Sequence, residues 1–202
     1  MIFRIFIWII ALLCAYMAYG TVSFVMLKSA VQKEYEGNVI TSPQADMSVV
    51  EFFDYTCPSC REFQPALMRA VERDGAVRLV LRPIPSDMTD EGKTVARLAL
   101  SAGKQGKFLE AHKHLIENYR VVDDTYIENF AAALELDLAQ LKEGMKDPEI
   151  DDEIDNNLVN LEKLTGYAVP TLLLNGDMLY TPNEEGVTSD TILGLFNQAR
   201  GL

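Results

Sequence analysis

Basic residues are scarce in this chain of 202 residues. Lys and Arg together number 18, against 30 Asp and Glu, so the net charge is −12. Nucleic acids are bound largely through Lys and Arg, and the shortage therefore excludes a nucleic-acid partner. It gives no support to binding at an anionic lipid surface either. The composition, 49% apolar and 24% charged, excludes a disordered or collagen-like chain and suits one globular domain with room for an insert.

Cysteine and histidine are rarer still. Only Cys14, Cys57 and Cys60 are present, which excludes a framework of several disulfides. The two histidines, His112 and His114, stand two positions apart in a predicted helix and so point to different sides. They therefore do not complete a zinc site with the cysteine pair, and no metal site is predicted. We expect both histidines to be solvated residues on the helix surface.

Charge is absent altogether from one long segment. Residues 5–27 are 23 consecutive uncharged residues, and as a helix they would be about 34 Å long. That length crosses a hydrocarbon core of about 30 Å. Arg4 lies on the short side of the run and all 30 acidic residues follow it. A short basic N-terminus stays in the cytoplasm, so the sequence predicts an inner-membrane anchor at 1–27 with the acidic body on the periplasmic or extracytoplasmic side.

A cleavable signal peptide is the alternative interpretation of this segment. The residues 18–20, Ala-Tyr-Gly, could serve as a cleavage site. The apolar run continues to Leu27, however, which favours an anchor that is retained. Cys14 could suggest a lipoprotein, but Leu13 before it is bulkier than the usual small residue. We therefore expect Cys14 to be an ordinary apolar residue of the helix.

Hydrophobic periodicity predicts an α/β protein for the rest of the chain. A polar tether at 28–46 precedes a strand, a helix, a strand, five helices, two hairpin strands and a last helix. The strands are predicted at 49–55, 77–81, 169–174 and 178–180, and the helices at 57–74, 89–102, 107–119, 123–134, 137–145, 148–164 and 188–200. This order predicts a mixed sheet flanked by helices, with its core at 47–85 and 166–202 and a helical insert at 86–165.

The chemistry of the sequence is concentrated in Cys57-Pro58-Ser59-Cys60, at the junction of the first strand and first helix. A cysteine at a helix start faces free backbone N–H groups and the positive end of the helix dipole, which favour the reactive thiolate. Pro58 suits the first helical turn. Cys57 is therefore the candidate nucleophile, and Cys60, one turn later, the resolving thiol. Half of a zinc site and an inert structural pair are the alternatives, although so short a loop makes a poor staple.

Two segments carry a resemblance to a known family. The sequence VVEFFDYTCPSC at 49–60, with Phe63 and Pro65 after it, resembles the active-site segment of the DsbA family of thiol:disulfide oxidoreductases. The sequence AVPTL at 168–172 is similar to the cis-proline loop of that family. The resemblance covers roughly residues 38–200. It implies a thioredoxin fold with an inserted helical domain, and a redox-active disulfide between Cys57 and Cys60 with no other cofactor.

The resemblance also implies roles for individual residues. Pro170 matches the cis-proline that faces the cysteine pair, and Val169 matches the residue whose backbone pairs with an extended substrate. Glu51 matches an acid beneath the active site, where it could relay the proton of a buried thiol. The alternatives are a plain strand-edge proline at Pro170 and, for Glu51, a structural or an outward-facing acid. Tyr167, just before the loop, is a further candidate for contact with substrate, although packing in the core is the simpler role.

Ser59 departs from the best-known members of the family, which carry His between the cysteines. A serine hydroxyl stabilises the thiolate less than an imidazole does, so we expect a less oxidising pair. Pro58 and Ser59 directly follow the nucleophile, and we expect both to contact the substrate.

Three functions follow as expectations. The first is a monomeric oxidase that donates its disulfide to exported proteins with cysteine thiols and is reoxidised by a quinone-linked membrane partner of the DsbB kind. The second is an isomerase or reductase that uses the same pair. The third is a Cu(I)-handling thiol chaperone, since soft thiolates bind Cu(I). Val169, where the isomerase branch favours Thr, and the lack of a dimerisation segment in 28–46 favour the oxidase.

Overall fold

The computed structural model describes residues 2–31, 37–182 and 186–202. Side chains are described throughout these ranges, apart from those of residues 2–6, 23–26 and 28. The chain divides into two units, Met1–Lys33 and Glu34–Leu202. The part of the predicted tether at 32–36 lies outside the described residues.

The first unit is a helix, α1, which runs over Ile2–Val31. Its described side chains at 7–22 are all exposed. Within the described part of the chain, no helix is long and apolar enough to cross a membrane.

Among the described residues of the second unit, five strands form a mixed sheet. They are β1 (Val39–Ile40), β2 (Met47–Phe53), β3 (Val77–Pro83), β4 (Thr171–Leu174) and β5 (Met178–Tyr180), and they lie in the order β1-β3-β2-β4-β5. The pair β2–β3 is parallel, and the other neighbours are antiparallel. The predicted mixed sheet is thus confirmed. Strand β1 was not predicted, because two residues are too short to form a recognisable pattern.

The central strands are buried on both faces because helices cover the sheet. Six of the seven residues of β2 are buried, and the same holds for β3. Both strands are rich in β-branched and large apolar side chains, which pack well on a pleated sheet between two layers of helix. A buried residue in either strand must therefore be apolar or find a polar partner inside the protein.

The helices match the predicted ones closely. They are α2 (Pro58–Asp74), α3 (Asp90–Gly103), α4 (Phe108–Asn118), α5 (Asp124–Ala133), α6 (Leu138–Gly144), α7 (Pro148–Thr165) and α8 (Ser189–Arg200). Side-chain caps begin five of them, from Thr89, Asp123, Asp137, Asp147 and Thr188. Such caps accept hydrogen bonds from otherwise free N–H groups of the first turn, which explains why the sequence located these helix starts well.

The helices α3 to α7 share one hydrophobic core with the sheet. Val49 and Leu79 of the sheet belong to the same buried cluster as Ile127, Phe130 and Ile154 of the helices. Helix α3 packs against α4, α6 and α7, and α7 in turn contacts β3. The helical segment is therefore held to the sheet side by continuous apolar packing, which keeps the end of β2 in a fixed environment.

Candidate active site

The cysteine pair lies where β2 passes into α2. The strand ends at Phe53, and Cys57 is the N-cap of the helix, with Pro58 in its first turn. The N–H of Cys57 donates to the carbonyl of Asp54 at 3.2 Å, and the carbonyl of Cys57 accepts from the N–H of Arg61 at 3.2 Å. These bonds hold Cys57 at the positive end of the helix dipole, as the sequence predicted.

Cys57 is half-buried, and its sulfur has hydrogen-bonding contacts with Ser59 and Cys60. Its Sγ lies 3.0 Å from the hydroxyl oxygen of Ser59. The hydrogen bond with the thiol of Cys60 is the largest cause that lowers the pKa of Cys57, from 9.0 to about 5, and Ser59 lowers it further against the opposing effect of burial. Cys57 is consequently a thiolate at neutral pH, which is the nucleophilic form.

Cys60 is fully buried and has the opposite character. Its hydrogen bond to Cys57 and its burial both raise its pKa far above the usual range. The backbone N–H of Asp54 donates to Cys60 Sγ at 3.4 Å and acts in the other direction. Both thiols are free in this structure, so it shows the reduced pair. Cys57 therefore has the accessibility and the lowered pKa of a nucleophile. Cys60 has the burial and the raised pKa of a protected second thiol.

Glu51 is buried in the middle of β2, with no exposed surface. Its Oε2 accepts a hydrogen bond from Nε2 of Gln64 on α2, whereas Oε1 has no hydrogen-bond partner among the described residues. Burial raises the pKa of Glu51 from 4.5 to about 8, against the lowering effect of Gln64. The charge of Glu51 is also one cause of the raised pKa of Cys60. The alternative of an outward-facing acid is therefore wrong.

The proline loop lies at the same end of the sheet. The Val169–Pro170 peptide bond is cis, as predicted. Strand β4 begins at Thr171, which pairs with Phe52 near the end of β2. Because β2 and β4 are antiparallel, the residues just before β4 lie beside the turn that leads from β2 to Cys57. Pro170 is buried, and Val169 is half-buried.

A family model described as "Thioredoxin" matches residues 33–192. The chain belongs to the thioredoxin family. This assignment agrees with the strand–helix position of the cysteine pair and with the mixed sheet around it.

Solved structures agree with the family. A thioredoxin-like oxidoreductase from Silicibacter pomeroyi DSS-3 is 29% identical, with a TM-score of 0.74, over 86% of this chain and 97% of the other. The thiol-disulfide exchange protein alpha-DsbA2 from Wolbachia pipientis is 16% identical, with a TM-score of 0.71, over 88% and 97% of the two chains, and at that identity shows the fold. The predicted thioredoxin fold is confirmed, and the oxidoreductase of 29% identity agrees with the predicted thiol–disulfide exchange enzyme.

One curated relative is a much longer protein than this chain. The Na(+)/H(+) antiporter NhaA 3 of Salinispora tropica is 28% identical over 160 residues, which are 78% of this chain and 24% of the antiporter. This thioredoxin-family chain therefore spans about a quarter of the length of that relative.

The expectation that His112 is solvated is wrong. His112 is buried on α4, and its Nδ1 lies 3.2 Å from the hydroxyl of Tyr55. Its ring packs edge-on against Phe53 at 5.0 Å, and burial lowers its pKa from 6.5 to about 3. Phe108 and Leu115 occupy the same face of α4, four positions before and three after His112. This helical spacing indicates that His112 lies on the buried face. The polarity of histidine led to the opposite expectation. His114 is half-buried, with its ring against that of Phe130.

The remaining candidates for substrate contact differ in exposure. Pro58 and Ser59 are exposed beside Cys57. Tyr167 is half-buried at the start of the proline loop and has a positive φ of 73°. Sequence reasoning did not single out Arg61, which follows the cysteine pair on α2. Its guanidinium lies 5.0 Å from the centre of the Tyr119 ring.

Asp54 is the second residue that sequence reasoning missed. It is almost fully buried at the end of β2, although it is an acid. Its carboxylate accepts hydrogen bonds from Thr56 and from Ser86, a residue of the loop after β3. The spacing from Asp54 to Thr56 is typical of an Asx turn, but no local pattern points to Ser86.

Proposed function

We propose that this protein oxidises thiols of exported proteins by transferring the disulfide of Cys57 and Cys60 to them. The observation that carries the proposal is the contrast between the two thiols. Cys57 is half-buried, with a pKa lowered to about 5, whereas Cys60 is buried and its pKa is raised. A thiol of low pKa is a good leaving group, so substrate sulfur displaces it readily from a mixed disulfide.

The reaction proceeds in two exchanges. A substrate thiolate attacks Cys57 Sγ of the oxidised pair, the bond between the two cysteine sulfurs breaks, and Cys60 leaves with the electron pair and takes up a proton. A second substrate thiolate then attacks the substrate sulfur of the mixed disulfide, and Cys57 leaves as a thiolate. The substrate loses two electrons and the pair gains them. A quinone-linked membrane partner of the DsbB kind would take these electrons away again.

Glu51 would supply the proton for Cys60. A buried sulfur has no bulk water beside it, and a carboxyl group with a pKa of about 8 still holds its proton at neutral pH. Gln64 keeps the carboxyl group in place by donating to Oε2.

The proline loop would hold the substrate. Val169 is half-buried, and its backbone precedes the β4 strand rather than belonging to it. An extended peptide could therefore add to the loop as a short strand through main-chain hydrogen bonds, beside Pro170. Pro58, Ser59 and Tyr167 are accessible enough to contribute contacts to such a peptide.

We also propose that the enzyme is monomeric and works outside the cytoplasm, held at the inner membrane by residues 5–27. The support is the sequence: the run carries no charge, and every acidic residue follows it. The proposed division of the remainder is a tether at 28–46, a thioredoxin core at 47–85 and 166–202, and a helical insert at 86–165.

Trapping of mixed disulfides tests the proposed roles. Cys60→Ser in the full-length protein, with Cys14→Ser to remove the third thiol, should accumulate disulfide-linked substrate through Cys57. The matched control is Cys57→Ser in the same background, which should trap little because Cys60 is buried. Trapped species formed only in Cys57→Ser would reverse the two roles, and none in either variant would refute the exchange function.

An isomerase or reductase is the second candidate, and Ser59 favours it. The group beside Cys57 Sγ is a neutral hydroxyl rather than a cation, which limits the stabilisation of the thiolate. An oxidase is more stable in its reduced form, whereas a reductase or isomerase is more stable in its oxidised form. Thermal unfolding of the two redox states therefore separates the two functions.

A further inference from the structure

The carboxylate of Asp54 is held by four hydrogen bonds from two separate segments. Its Oδ1 accepts from the N–H of Thr56 at 2.8 Å and from the Thr56 hydroxyl at 2.7 Å. Its Oδ2 accepts from the N–H and the hydroxyl of Ser86, both at 2.7 Å. Only 1% of the surface of Asp54 is exposed. A buried carboxylate satisfied in this way is a fixed element of the site rather than a surface charge.

The two segments that Asp54 joins come from neighbouring parallel strands. Thr56 belongs to the turn after β2, which continues directly into Cys57. Ser86 belongs to the loop after β3, and the N–H of Ile84 in this loop donates to the carbonyl of Phe53 at 2.9 Å. Each carboxylate oxygen binds one segment, so the side chain acts as a clamp between the two strand ends.

The backbone of the same residue faces both cysteines. The N–H of Asp54 donates to Cys60 Sγ at 3.4 Å, and its carbonyl accepts from the N–H of Cys57 at 3.2 Å. The orientation of these backbone groups depends on where the side chain of Asp54 is held. We propose that Asp54 is a positioning residue whose carboxylate clamp keeps its own N–H on the sulfur of Cys60, where it stabilises the thiolate that leaves when the disulfide is opened.

The step in question is the first exchange of the proposed function, on which this inference rests. The attacking thiolate forms a bond to Cys57 Sγ, the bond from Cys57 to Cys60 breaks, and its electron pair remains on Cys60 Sγ until a proton arrives. A hydrogen-bond donor aimed at that sulfur stabilises the charge that develops there. Cys60 is buried away from bulk water, so the backbone N–H takes the place of solvent.

An Asn at this position is the informative substitution. It keeps the size of Asp but replaces one carboxylate oxygen by an NH2 group, which cannot accept. Either the two donors of Thr56 or the two donors of Ser86 then lose their acceptor, and the clamp opens on one side. Asp123→Asn is a matched control, because Asp123 is an exposed acid that accepts from the N–H of Tyr126 at the start of α5, away from the cysteine pair.

Two rates separate a positioning role from a structural one. The first is the opening of the disulfide of the full-length protein by dithiothreitol, in which Cys60 is the leaving group. The second is the alkylation of Cys57 by iodoacetamide in the reduced protein, in which Cys60 is not the leaving group. We expect Asp54→Asn to slow the opening by about fivefold to tenfold, the size of effect expected when one typical hydrogen bond is lost. Alkylation of Cys57 should be slowed much less than the opening, and Asp123→Asn should alter neither rate.

Equal opening rates in Asp54→Asn and wild type, or an equal loss in opening and alkylation, would overturn the inference. A wild-type disulfide that dithiothreitol does not open would instead refute the proposed function itself. If thermal melts show that Asp54→Asn is unfolded, Ser86→Ala replaces it, since this change removes one of the four bonds and leaves the N–H donor. It should slow opening about twofold, and an unchanged opening rate there would overturn the inference.

Discussion

At the scale of single residues, the cysteine pair owes its chemistry to unequal surroundings. Cys57 and Cys60 are one helical turn apart, yet the pKa of the first is lowered to about 5 and that of the second is raised. The difference arises because Cys60 donates the shared hydrogen bond and is buried. Cys57 is therefore stable as a thiolate, whereas Cys60 must be protonated soon after it leaves as a thiolate. The supply of a proton to Cys60 thus limits the reaction at this site.

Replacement of Glu51 by Gln should slow the opening of the disulfide by about tenfold or more at neutral pH, because the proton donor for Cys60 is lost. The pKa of Glu51 is raised to about 8, so the wild-type carboxyl group loses its proton as the pH rises through that value. The difference in opening rate between wild type and Glu51→Gln should therefore decline above about pH 8. The measurement is the rate of opening by a small thiol, corrected for the thiolate fraction of that thiol, from pH 6 to pH 9.

Glu62→Gln is the control for this change. Glu62 lies on the same helix as Gln64 but is exposed. Its replacement should leave the rate and its pH dependence as in the wild type. The same profile for Glu51→Gln and wild type would return Glu51 to a structural role.

At the scale of the elements, α4 presents a histidine to the hydrophobic core. His112 faces inward with Phe108, Ala111 and Leu115, and it accepts or donates one hydrogen bond with Tyr55. Burial lowers the pKa of His112 to about 3, so the ring is neutral in the fold. In the unfolded chain its pKa would be near 6.5, and this difference links protonation to unfolding.

The sign of this linkage follows from the lowered pKa. Below about pH 6.5 the unfolded chain binds a proton at His112 that the folded chain does not, so acid favours unfolding. Removal of the titrating group by His112→Gln, which keeps a partner for Tyr55, should therefore weaken the loss of stability in acid. We expect the free energies of unfolding of variant and wild type to converge by about 1.4 kcal/mol for each pH unit between about pH 6.5 and pH 4.

Denaturant unfolding at a series of pH values measures this effect. Parallel curves for His112→Gln and wild type would contradict the neutral, buried state of His112.

At the scale of the whole molecule, the thiolate couples the redox state of the pair to the stability of the fold. The groups that lower the pKa of Cys57 stabilise the folded reduced protein, since a disulfide carries no charge there. The disulfide closes a very short loop and so constrains the unfolded chain only slightly. Reduction should therefore stabilise the molecule, which is the reverse of the effect of an ordinary structural disulfide.

The reduced full-length protein should unfold at a higher temperature than the oxidised one at neutral pH, by roughly 2–4 °C for each kcal/mol of stabilisation. The pKa of Cys57 is depressed in the fold, from 9.0 to about 5, so this stabilisation is fully present above pH 9 and is lost as the pH falls through about 5. Thermal melts of both redox states at pH 7 and at pH 4 measure it. The two midpoints should approach each other at the lower pH.

An oxidised form that melts well above the reduced form at pH 7 would argue against the oxidase. Such a protein holds its disulfide tightly, and the reductase or isomerase would then be the better assignment.

The sequence by itself determined the features that depend on neighbouring residues. The strand before Cys57, the helix that begins at Pro58 and the helix starts at Thr89, Asp147 and Thr188 all follow from local patterns of apolar, capping and turn residues. The position of a C-x-x-C pair at a helix start is equally local. These predictions succeeded because hydrogen bonds in a helix turn reach only three or four positions along the chain.

Only the tertiary structure decided the features that join distant segments. Asp54 meets Ser86 across 32 positions, and Tyr55 meets His112 across 57. Whether an acid or a histidine is buried depends on which other elements cover it, and the polarity of the residue alone suggests the opposite. Glu51 acquires its raised pKa in the same way, since helices close over both faces of β2 and remove the water that would otherwise stabilise its charge.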